Sequence, residues 1–131
     1  MRLAISAVLG VLAAMPALAQ DHSVGRDNYI EYCASCHGSN GKGGGPLAEL
    51  ITVAPPDLTT LSQRNEGAFP MLQVIHIIDG RTGVRAHGGP MPVYGAVFDA
   101  QAAAGSGSYG SVLETRGRVL AVADFLESIQ E

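Results

Sequence analysis

CASCHGSNGKGGGP, residues 33–46, holds both cysteines of the chain, three positions apart, with a histidine directly after the second and a run of glycines behind it. Several chemistries use a C-x-x-C pair, and the surrounding sequence separates them. On a helical turn, residues i, i+3 and i+4 lie on one face, so Cys33, Cys36 and His37 project together toward one target.

Two thiols at this spacing can add across the two vinyl groups of a haem, while the adjoining imidazole reaches the iron from the same side; C-x-x-C-H is the attachment signature of a c-type haem. The competing chemistries fit less well. A disulfide would close only a small loop and leaves His37 unexplained. A thioredoxin-like pair wants a strand before it and a βαβ surround, whereas a helical pattern precedes Cys33. Structural zinc usually takes four ligands, and His76 and His87 do not form a second close pair. The glycine run is no phosphate loop, because Gly38-Ser39-Asn40-Gly41-Lys42-Gly43 has the wrong spacing and no Ser or Thr after the lysine.

The chain has 131 residues, enough for one domain. Arg2, an apolar run from Leu3 to Ala14 and the small-x-small Ala17-Leu18-Ala19 read as a secretory signal over residues 1–19, cleaved on export; the run is short for a retained membrane anchor. Residues 20–131 then form the domain. Arg2 is the only charge in the leader, so 7 basic residues stand against 12 acidic ones in the remainder, a formal charge of −5. That balance argues against nucleic acid and favours a protein partner with a basic patch.

Asp21 or Ser23 can cap a helix running to about Tyr32, with Gly25, Tyr29, Tyr32 and Cys33 on one side. Gly38 to Gly45 reads as loop, and Pro46 opens a short helical stretch that ends before Pro55-Pro56. Pro70 at a first helical position, apolar Met71, Val74, Ile75 and Ile78, and a stop at Asp79-Gly80 predict another helix. Arg81 to Gly95 reads as loop, and Ala100 to Gly110 as a flexible low-complexity insert. Val119, Val122, Phe125, Leu126 and Ile129 predict a last helix from about Thr115. No stretch alternates long enough to require a sheet, so the fold class is all-α.

With these features the chain resembles the class I cytochromes c, small monohaem proteins of the exported bacterial type, over essentially all of residues 20–131. The likeness rests on C-x-x-C-H, on Gly25 eight and Tyr29 four residues before Cys33, and on Val122, Phe125 and Leu126 in the last helix. A side chain as small as glycine lets another helix cross closely while an aromatic fills the space. The resemblance implies crossing N- and C-terminal helices with short helices and loops wrapped around one covalent haem c. It implies that Cys33 and Cys36 carry the haem, that His37 is the proximal iron ligand, and that the Pro46 carbonyl holds its imidazole. Met91, in GGPMPVYG, is the implied distal ligand, a soft thioether that raises the reduction potential. Met71 and His87 are the competing ligands. His76 reads as surface or packed, and His22 as tail.

Arg64, Arg81 and Arg85 are candidates to neutralise haem propionates, and Tyr94 and Phe98 to wall the haem, although either set can be ordinary surface or core. Iron closed on both sides leaves outer-sphere, one-electron transfer, so the implied function is an electron carrier of the periplasm and not an enzyme. Two alternatives stay open: a haem-bearing subunit of a periplasmic dehydrogenase or oxidase, and an open-site haem enzyme or gas binder. Expected partners are redox proteins, with the chain a monomer or a complex subunit and no retained membrane anchor.

Overall fold

The computed structural model describes residues 21–80 and 91–131. The leader read over 1–19, and Arg81, Arg85 and His87, lie outside the described residues. Among the described residues the chain is all-α, with no strand: α1 (Ser23–Tyr32), α2 (Ala34–His37), a 3₁₀ turn (Ala48–Leu50), α3 (Leu61–Arg64), α4 (Met71–Asp79) and α5 (Tyr94–Ser128).

Local chemistry sets most of these limits. The N-cap of α1 is His22, which makes no side-chain capping bond, rather than Asp21 or Ser23; Asp21, one residue earlier, accepts from the Ser23 backbone N–H at 2.9 Å. Pro70 precedes α4, and Gly80 closes it in the left-handed conformation (φ 77°), its N–H returning to the His76 carbonyl. The helical stretch expected from Pro46 is only the turn Ala48–Leu50.

The segment 100–110, expected as a flexible insert, is helical, and the loop expected up to Gly95 ends at Tyr94. Ala100 and Ala102 to Ala104 explain the difference: alanine is the best helix former, and here it outweighs the scattered glycines. Gly107 breaks α5 with φ 64° and ψ 173°, a region essentially restricted to glycine. The break is a reversal. Arg118 Nη1 donates to Gln101 Oε1 at 2.9 Å, and its guanidinium carbon lies 5.7 Å from the Phe98 ring centre, whereas 17 residues of straight helix would separate such groups by roughly 25 Å. Two limbs therefore fold back on one another around Gly107. Phe98 and Ala102 from the first, and Thr115, Val119 and Val122 from the second, are buried together in the core.

The second limb also packs on α1. Gly25 lies against the Ala121 carbonyl and Phe125, and the Tyr29 and Phe125 rings sit 5.3 Å apart. Past α5, Gln130 Nε2 donates to the Leu58 carbonyl at 2.8 Å and the Glu131 N–H to the Thr59 carbonyl at 2.9 Å, tying the C-terminal end to the loop before α3. Lys42 and Glu131 pair at the surface, where such a bond adds little stability.

Thr115 is buried at 7% exposure and its Oγ1 has no hydrogen-bond partner among the described residues. An unsatisfied buried hydroxyl costs about 1–3 kcal/mol. Thr115→Val keeps the shape and removes that cost, so it is expected to raise the unfolding free energy by about 1 kcal/mol, read as a higher urea midpoint at unchanged m-value. A lowered midpoint would show that the hydroxyl is satisfied.

Candidate functional site

The chain turns at Cys33, and its carbonyl accepts from both the Cys36 N–H (3.2 Å) and the His37 N–H (2.9 Å). This single helical turn brings Cys33, Cys36 and His37 onto one wall of a cavity of about 600 Å³. His37 is 6% exposed, Cys33 9%, and Cys36 is half-buried; no disulfide joins the two sulfurs.

The glycine run straps the back of this turn. The Gly43 N–H donates to the His37 carbonyl at 2.8 Å, the Gly45 N–H to the Cys36 carbonyl at 3.1 Å, and the Leu47 N–H to the Ser35 carbonyl at 2.8 Å. The approach at Gly45 is so close that an added Cβ would sit 2.4 Å from the carbonyl oxygens of Ala34 and Ser35. The buried Tyr29 hydroxyl donates to the Gly38 carbonyl at 2.7 Å, which fixes the strap to α1. Burial, with Cys33 close by, pushes the Tyr29 hydroxyl well above its ordinary pKa, so it stays a donor.

Met91 lines the same cavity, as do Tyr32 and Tyr94. Leu47, Leu50, Ile51, Val53, Ala54, Pro55 and Pro56 supply an apolar wall. Burial pushes the free Cys33 thiol up to about 12, with Cys36 adding to the effect. The Tyr94 hydroxyl is likewise pushed up to about 12, by burial first and then by the two thiols. It donates to the Tyr32 carbonyl at 2.5 Å.

Of the candidate side residues, Tyr94 borders the cavity, while Phe98 is core at 1% exposure. Arg64 does not line the cavity; it donates to the Asp57 carbonyl at 2.5 Å and the Thr60 carbonyl at 3.3 Å. Met71 packs half-buried against the core, as its helical spacing predicts. The wall at 47–56 was not foreseen. Its only sequence signal is a nearly uncharged stretch, with Glu49 its one charge, beside Pro55-Pro56.

A cavity of this size suits a ligand with a large apolar surface. It sets two thiols, an imidazole and a thioether around one space, with aliphatic side chains and prolines as the facing wall. That donor set and that wall fit an iron porphyrin: sulfur for covalent attachment, nitrogen and soft sulfur for the metal, and an apolar surface for the macrocycle. Comparison with curated proteins and with solved structures returns no match. The family model for cytochrome c matches residues 23–105, more than half of the chain, from the start of α1 to the tip of the α5 reversal. The C-x-x-C-H turn, the helical fold and this match make the chain a member of the cytochrome c family, with covalently bound haem c and a role in electron transfer.

Proposed function

We propose that the protein is a one-electron carrier of the periplasm, with its haem joined to Cys33 and Cys36 and its iron held by His37 and Met91. The observation that carries this reading is that all four side chains border one cavity. The bound haem supplies the Fe(II)/Fe(III) couple. The polypeptide's share is positional. α2 presents His37 and both sulfurs from one turn, and the strap through Gly43 and Gly45 holds that turn from behind. Pro46 lies between the Gly45 and Leu47 bonds to α2, which supports its carbonyl as the imidazole's partner. The apolar wall at 47–56 keeps water from the macrocycle, so little solvent has to reorganise as the charge changes.

The leader over 1–19 and the C-x-x-C-H motif support export, and no helix among the described residues is long and apolar enough to cross a membrane. The formal charge of −5 on residues 20–131 supports transient docking to a basic patch on a redox partner. The test is an intact mass and a visible spectrum of protein exported from a host that matures c-type cytochromes. The expected mass is that of residues 20–131 plus one haem, and Cys36→Ser leaves the haem on a single thioether with a shifted reduced-state absorption. A mass without added haem would overturn the reading.

A further inference from the structure

Met91 stands three residues before Tyr94, where α5 begins, and that start is anchored from two directions. On one side it sits on the end of α4. An added Cβ at Gly80 would lie 2.3 Å from Val93 Cγ1, and one at Gly95 would lie 2.2 Å from Asp79 Oδ1 and 2.8 Å from the Asp79 carbonyl oxygen. On the other side Tyr94 reaches to α1. Its hydroxyl donates at 2.5 Å to the carbonyl of Tyr32, a residue 62 positions away that immediately precedes Cys33. As the last residue of α1, Tyr32 has a carbonyl without an intrahelical donor. Tyr94 therefore fills a need of the helix end while tying together two distant parts of the cavity wall. Its ring adds contacts to Tyr32 and Phe98, each at 6.1 Å between centres.

We propose that Tyr94 is a positioning residue: its hydrogen bond to the Tyr32 carbonyl holds the Met91 segment against the haem-bearing turn and sets how readily an outside ligand displaces the thioether from iron. This rests on the assignment of Met91 as distal ligand. Losing the thioether requires the segment to swing out, and the tyrosine resists that movement. A hydrogen bond present in the methionine-ligated state and lost in the displaced state contributes about 1 kcal/mol, or roughly fivefold in the displacement equilibrium.

The test is imidazole titration of the ferric holoprotein, followed through the methionine-to-iron absorption band. Tyr94→Phe keeps the ring and removes the donor, and should bind imidazole about fivefold more tightly than the wild type. Gln101→Ala removes the polar partner of the Tyr32 hydroxyl yet leaves the Tyr94 bond to the Tyr32 carbonyl in place, so its imidazole affinity should match the wild type. A merely structural role for Tyr94 would lower the urea midpoint without moving imidazole affinity, and that result overturns the proposal. So does an equal shift in Gln101→Ala, which would assign the effect to the packing between α1 and α5 at large. Should Tyr94→Phe not load haem, Tyr94→Leu decides in its place: it also lacks the donor to the Tyr32 carbonyl, and an imidazole affinity equal to that of the wild type overturns the proposal. A wild type with no methionine-to-iron band, and with the imidazole affinity of Met91→Ala, would instead sink the Met91 assignment itself.

Discussion

Replacing Gly25 with alanine is expected to lower the unfolding free energy by about 3 kcal/mol or more, a large part of the 5–15 kcal/mol typical of a domain. Two effects oppose each other. Alanine is favoured over glycine within a helix by roughly 0.5–1 kcal/mol, which would stabilise α1. Against that, the new Cβ would lie 2.0 Å from the Ala121 carbonyl oxygen, 2.6 Å from its carbon and 2.9 Å from Phe125 Cβ. Two of those three atoms are backbone, so no rotamer change relieves the overlap. The helices must separate, and the Tyr29–Phe125 ring contact at 5.3 Å separates with them. The measurement is thermal or urea unfolding of the holoprotein, with a fall in Tm on the order of 10 °C or more. Gly117→Ala provides the control: it sits in α5 with no heavy atom within 4 Å of an added Cβ, so helix propensity acts alone and the midpoint should rise slightly. Equal effects at the two positions would disprove a close crossing at Gly25.

Met91→Ala is expected to abolish the methionine-to-iron band and lower the reduction potential by a few tenths of a volt, within the ~0.8 V range that axial ligands set. The thioether favours ferrous iron, and its loss leaves the site to water or a harder donor. The haem should remain covalently bound, because Cys33 and Cys36 are carried by a different part of the cavity wall. Met71→Leu is the companion variant. Met71 packs half-buried against the core from the start of α4, and a volume-conserving swap there costs less than about 1.5 kcal/mol while leaving the spectrum intact. Voltammetry reads the potential and the visible spectrum reads the band; a band that survives Met91→Ala and vanishes in Met71→Leu would transfer the distal role between the two methionines.

The parts of the fold that were legible in the sequence are those whose physics is local or periodic. Gly25 and Tyr29 share a helix face by spacing alone, and both are buried. Cys33, Cys36 and His37 converge because one turn of helix allows little else. The apolar wall at 47–56 has no such period. Leu50 and Val53 become cavity residues only because the loop returns over α2, held by the Leu47 bond to Ser35 and the Leu58 bond to Gly41 at 2.7 Å. The Tyr94–Tyr32 bond was illegible for a related reason: its partners lie 62 residues apart, and one of them is a backbone carbonyl that carries no residue signature. The helix at 100–110 is hidden in a low-complexity run, in which four alanines outweigh three glycines. Only Gly107 actually breaks the helix, because its backbone angles exclude other residues.

The reversal at Gly107 gives the molecule a natural handle. Residues 103–109 are all exposed, Tyr109 is 78% exposed, and among the described residues a Cβ added at Gly105 or Gly107 would meet no side chain or neighbouring element within 4 Å. A fluorophore, an affinity peptide or an electrode linker inserted at this tip would meet solvent on every side, as exposed loop tips tolerate additions best. Tethered there, the cytochrome could be immobilised in a single orientation with its redox centre left untouched.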